Sequence, residues 1–159
     1  MGFKFRLGLL VLGLFALSGS SLTHNNLSIQ QILDNLNHDR SVHGLAPLTI
    51  DPTLNLAALA KADDMISENY FAHTSPAGTT PWYWFKTLGY EYTYAGENLA
   101  QGYTDPSELE NSLMASPTHR ANILSPFYSQ VGLAVAQTNN TNVVVEFFGS
   151  TENKVSLRE

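Results

Sequence analysis

The chain has 159 residues, of which 43% are hydrophobic and 14% charged, with a net charge of −6 and no cysteine. Such a composition describes one domain with a real core and excludes a disordered chain. The acidity, with no basic cluster, argues against nucleic acid or an anionic lipid surface as partner, and the missing cysteines exclude a thiol nucleophile, a thiolate zinc site and a lipid-modified cysteine.

Lys4 and Arg6 precede an uncharged apolar run, Leu7 to Leu17, and the small residues Ser18-Gly19-Ser20-Ser21 follow. This order predicts an export signal over residues 1–20, cleaved after Ser18 or Ser20. The run is about half the roughly 20 apolar residues a membrane-spanning helix needs, so no stable anchor is expected after cleavage. A short leader (21–28), one domain (29–150) and a charged tail (151–159) complete the division. The expected location is outside the cell, and the expected state is a monomer.

Within the domain, Ser28 and Gln31 read as a capping box, and Ile29, Ile32, Leu33 and Leu36 carry a helix to about Val42. Asp51-Pro52 starts a second helix, to about Asn69, with a face of Leu54, Ala57, Ala58, Ala62, Met65 and Ile66. Thr80-Pro81 starts a short third, carrying Trp82, Trp84 and Phe85 and stopping at Gly89. A strand is expected between Glu91 and Ala100. Asp105-Pro106 with Glu108 starts a fourth helix, with Leu109 and Leu113 on one face. Ser116-Pro117 is a further helix start, placing His119 in the first turn, where the helix dipole disfavours a protonated imidazole. Val131, Leu133 and Val135, then Val143, Val145 and Phe147, alternate along two strands joined by the polar turn 138–142. Helices first and strands last predict an α+β layered domain. Trp82, Trp84, Tyr90, Tyr92, Tyr94 and Tyr103 form an aromatic-rich stretch that core packing accounts for in the main, a few of them offering a stacking surface for sugars or an apolar groove.

His73, Glu97 and His119 are 24 and 22 residues apart, a spacing that matches no short zinc motif. Singly, each has a structural explanation. His73 can cap a loop, Glu97 can pair with Arg120 or accept from backbone amides, and His119 can bond a buried carbonyl. There is no G-x-S-x-G nucleophile motif.

Five segments in order nevertheless carry a resemblance. They are Asn37-His38-Asp39-Arg40, His73-Thr74-Ser75-Pro76, Gly96-Glu97-Asn98, the block Ser116 to Leu124, and the pair Val131-Gly132-Leu133 with Phe147-Phe148-Gly149. Together, from about Ile29 to Gly149, the chain resembles the bacterial branch of the CAP superfamily, whose other members include cysteine-rich secretory, venom-antigen and plant pathogenesis-related proteins. The absence of cysteines fits the bacterial branch. The resemblance implies an α-β-α sandwich of about four helices on a small antiparallel sheet. It also implies an open cleft in which two histidines hold zinc or another divalent cation in some members. Here it points to His73, Glu97 and His119, with Ser116 where a second acid stands in the family and Phe127 where eukaryotic members have the second histidine. Asn98, Arg120 and Asn122 are expected as structural support. Three functions follow from this reading. The first is an extracellular binding module taking a weakly held divalent cation or a lipid, glycan or protein ligand. The second is a metal-assisted hydrolase of peptides or cell wall with Glu97 as general base. The third is a structural protein whose three cleft residues only tie segments together.

Overall fold

The computed structural model describes residues 27–138 and 141–152. The expected signal peptide, most of the leader and most of the charged tail lie outside the described residues. In chain order the elements are α1 (Ile29–Val42), β1 (Thr49–Ile50), α2 (Pro52–Ser67), α3 (Pro81–Thr87), β2 (Tyr94–Gln101), α4 (Pro106–Ala115), α5 (Pro117–Ile123), β3 (Gln130–Gln137) and β4 (Asn142–Ser150). The strands form one sheet in the order β1-β3-β4-β2.

Two details differ from the sequence reading. The sheet is mixed, because the two-residue β1 pairs in parallel with β3 while β3–β4 and β2–β4 are antiparallel. So short a strand carries no period for a sequence to display. The helices among the described residues number five, against the about four that the resemblance implies; the fifth is the one expected from Ser116-Pro117, where Ser116 ends α4 and starts α5. Caps also divide by chemistry. Asp51 accepts from Thr53 N and Leu54 N at 2.8 and 3.0 Å, and Asp105 accepts from Ser107 N and Glu108 N at 2.8 and 2.9 Å. Ser28, Thr80 and Ser116 hold the extended cap backbone without a side-chain cap bond, so the Ser28–Gln31 capping box does not form. A carboxylate gains from the helix dipole as well as from the two amides, which a neutral hydroxyl does not.

The sheet lies between two helical layers, and period-2 alternation sorts its side chains. Leu99, Ala134, Val145 and Phe147 pack with Leu54, Ala57, Ala58, Ala62, Met65 and Phe85 of α2 and α3. Ala100, Val131, Leu133, Val144 and Phe148 pack with Ile32 and Leu36 of α1, Leu109 and Leu113 of α4 and Ile123 of α5. Covered on both faces, β4 is buried from Asn142 to Gly149. At Gly132 the backbone of α2 lies so close that a Cβ would overlap the Leu54 carbonyl, so the helix seats directly on β3. Arg40 is 1% exposed and ties α1 to the segment after α5, donating to Ala46 O at 2.9 Å, Ile123 O at 2.7 Å and Ser125 O at 2.9 Å. In this order β2 is an edge strand, and the candidate site is built around it.

Candidate functional site at the β2 edge

Glu97 and Asn98 are consecutive on β2, so their side chains leave opposite faces of the sheet. Glu97 points toward the α2 layer, where the His73 ring meets it. His73 Nδ1 is hydrogen-bonded to Glu97 Oε1. When the carboxyl is ionised it can only accept, so in that state Nδ1 carries the hydrogen and Nε2 keeps its lone pair. The Glu97 side chain is 2% exposed and that of His73 is 59% exposed. A buried carboxylate thus orients an imidazole that stands in solvent. Burial pushes the Glu97 carboxyl up to about 7, against the hydrogen bond and charge of His73 and the charge of Lys61, which pull it down.

The segment bearing His73 is not regular structure, and a lysine holds it. Lys61 lies on the inner face of α2 beside Ala58 and Ala62 and is fully buried. Its Nζ donates to Ala72 O and His73 O, both at 2.9 Å, and to Tyr70 Oη at 3.1 Å. All three ammonium hydrogens therefore have partners, which makes this burial tolerable. The sequence carried the signal in the form of a lysine at the helical spacing of an otherwise apolar face.

On the other face of β2, Asn98 Nδ2 donates to Glu146 Oε2 at 3.0 Å and to His119 O at 3.3 Å. Asn122 Nδ2 donates to Asn98 Oδ1 at 2.8 Å and to Glu97 O at 3.0 Å. These bonds fasten α5, and with it His119, to the edge strand. Gly96 permits the approach, because a Cβ there would meet Asn122 Oδ1 at 2.8 Å. Burial, and next the charge of His73, lower the pKa of His119. The direction is the one expected from the helix dipole, but its causes are burial and the neighbouring His73.

An open cavity of about 430 Å³ brings together His73, Glu97, Thr80, Trp82, Gly96 and Asn122. His119 is not among the residues that line it, but lies on α5 near enough for its charge and that of His73 to oppose each other. Ser116 stays at the α4–α5 junction, its Oγ 3.3 Å from Thr118 Oγ1. Arg120 is not the partner of Glu97. It is exposed and, among the described residues, makes no ion pair, because α5 turns Ile123 inward and leaves Arg120 outward. Phe127 stacks on Tyr94 with ring centroids 4.7 Å apart. Among the described residues no group of three or more His, Asp or Glu side chains is arranged to hold a metal ion. A cation here would have two imidazoles as its protein ligands, with Glu97 behind His73.

The sequence reading missed a pair of acids. Glu110 of α4 is 4% exposed and Glu146 of β4 is 1% exposed, and both carboxyls have unpartnered oxygens among the described residues. Burial first, and for Glu110 next the charge of Glu146 and then of Asp39, raises the pKa of each. Glu146 interrupts a run of Val and Phe, which is the mark by which it was legible.

The model of the family described as "CAP: Cysteine-rich secretory protein family" matches residues 33–148. The uncharacterized protein YkwD of Bacillus subtilis (strain 168) is 38% identical over 111 residues, covering 70% of this chain and 43% of that protein. An extracellular SCP-domain protein of Bacillus anthracis is 30% identical with a TM-score of 0.66, covering 77% of this chain and 40% of that one. An outer surface protein of Borrelia burgdorferi, at 23% identity and a TM-score of 0.72, shares the fold over 77% of this chain and 92% of its own. The chain spans less than half the length of the curated relatives it matches.

Proposed function

The chain belongs to the CAP family of cysteine-rich secretory proteins, and from that premise we propose that it is an exported, non-enzymatic binding module whose β2-edge cleft takes a divalent cation. Export is supported by the charged and apolar N-terminal pattern and by the extracellular description of the Bacillus anthracis relative. Among the described residues no helix is long and apolar enough to cross a membrane.

The observation that carries the cation reading is the buried Glu97 carboxylate bonded to Nδ1 of exposed His73. A carboxylate behind an imidazole sets the tautomer, aims Nε2 outward and raises its basicity, as at many zinc sites. His119, with its pKa lowered, offers a second neutral imidazole. Two nitrogen ligands with water completing the shell favour a borderline ion such as zinc, held weakly. Calorimetric titration of zinc into the protein tests this, beside the His73→Ala/His119→Ala double variant. Binding in about the micromolar range that vanishes in the double variant is expected. No binding in either protein refutes the cation reading and leaves the three residues as ties between segments.

A second reading rests on Glu97 lining the same cavity as His73: with zinc bound, Glu97 would serve as general base in a hydrolase of peptides or cell wall. Turnover of casein or peptidoglycan fragments with zinc, abolished in Glu97→Gln, would establish it. No turnover between about pH 5 and 9 would exclude it.

A further inference from the structure

Beside the His73–Glu97 cleft lies a second cavity of about 560 Å³, within the size range of small-ligand sites. Thr80 and Trp82 line both cavities, so they form a shared wall. Trp82, Tyr83 and Tyr92 line the second one and are 38%, 51% and 42% exposed, large aromatic areas to leave in solvent. The sequence reading assigned most of this aromatic stretch to the core, yet only Tyr90 of the second cavity's aromatic residues is buried.

The exposed rings are not loose. Trp82 and Tyr92 both pack edge-on against buried Phe85, at centroid distances of 5.7 and 5.5 Å and interplanar angles of 62° and 75°. They stand 6.0 Å from each other with a 44° tilt. Phe85 is fixed in turn by Tyr90 and Phe147. Two aromatic faces are therefore held at a set angle before any ligand arrives, which lowers the ordering cost of binding.

The rest of the lining is Thr80, Lys86, Gly89 and Glu91, with no aliphatic side chain. An acyl chain would find no Leu, Ile, Val or Met to pack on. A sugar ring has an apolar C–H face for an aromatic platform and a rim of hydroxyls for polar neighbours. Lys86 is exposed in the last turn of α3 and, among the described residues, makes no ion pair, so its ammonium is available to hydroxyl oxygens.

We propose that the Trp82–Tyr92 groove is a carbohydrate subsite that seats one ring of an oligosaccharide. Further rings run over Thr80 and Trp82 toward the cleft. The inference stands on the aromatic platform and does not depend on the cation reading.

The test is titration of chitotriose, cellotriose and a peptidoglycan disaccharide, followed by calorimetry and by Trp fluorescence. At least one sugar should bind with a Kd of about 1 mM or tighter and perturb the emission. Trp82→Ala and Tyr92→Ser should each weaken it at least about tenfold. Tyr92→Ser keeps the result interpretable if Trp82→Ala unfolds, and thermal melts identify that case. No binding of any of the three sugars at about 10 mM overturns the proposal. So does sugar binding indifferent to Tyr92→Ser, or binding of a fatty acid instead of sugar.

Discussion

Replacing Glu97 with Gln should flatten the pH dependence of stability by a predictable amount. Glu97 is ordinarily a group titrating near 4.5, and burial raises it to about 7 in the folded chain. The folded state therefore holds this proton more tightly than the unfolded one. Its contribution to stability is complete below the unfolded pKa and is lost as pH rises through about 7. At 1.36 kcal/mol per pKa unit the rise corresponds to about 3 kcal/mol, and the side chain is too buried for solvent to screen much of it. Gln keeps an acceptor for His73 Nδ1 and has no titration. Urea unfolding of both proteins at pH 5 and pH 8 isolates the effect, because His119, Glu110 and Glu146 titrate in both. The stability difference, wild type minus Glu97→Gln, should fall by about 2.5 kcal/mol between the two pH values, since pH 5 is already above the unfolded pKa. A difference equal at both would show that Glu97 titrates as an ordinary surface carboxylate, and the dyad argument would fail with it.

Glu110→Gln should act at higher pH. The raised pKa of Glu110 means stability present at low pH and lost as pH rises through its folded value, so the variant should melt above wild type near pH 9 and not near pH 5. A wild-type melting temperature that climbs from pH 7 to 9 would contradict this. Arg40→Ala should cost about 4 kcal/mol in urea unfolding, because it orphans the carbonyls of Ala46, Ile123 and Ser125 and removes a fully packed side chain. It should also weaken zinc binding, since the segment it holds anchors α5. A cost under about 1 kcal/mol would mean that water replaces the guanidinium.

Much of the fold was legible because local signals and tertiary structure agree. Asp51-Pro52 and Asp105-Pro106 start helices by chemistry contained in a few consecutive residues. The alternation of Val131 to Val135 and of Val143 to Phe147 is a strand period readable without knowing the partner. Arg120 was misassigned for the opposite reason. Its proximity in sequence to His119 says nothing about which way a short helix faces. Lys61 shows a third case, where the residue stood out on its helix face but its carbonyl partners lay in irregular chain.

The sequence by itself determined the order of the helices and of the three longer strands, the family and the residue types His73, Glu97 and His119, because caps, periods and ordered motifs are local properties. Only the tertiary structure decided what those residues do to one another. Placing β2 at the sheet edge sets Glu97 against His73 on one face and ties α5, which carries His119, to the other through Asn98 and Asn122. Burying Glu97 while leaving His73 in solvent raises the carboxyl pKa. Seating Trp82 and Tyr92 on one buried Phe85 turns what looked like core aromatics into a surface platform. Desolvation and charge proximity depend on what surrounds a side chain in three dimensions, and residues 22 or 24 apart carry no mark of it in the chain.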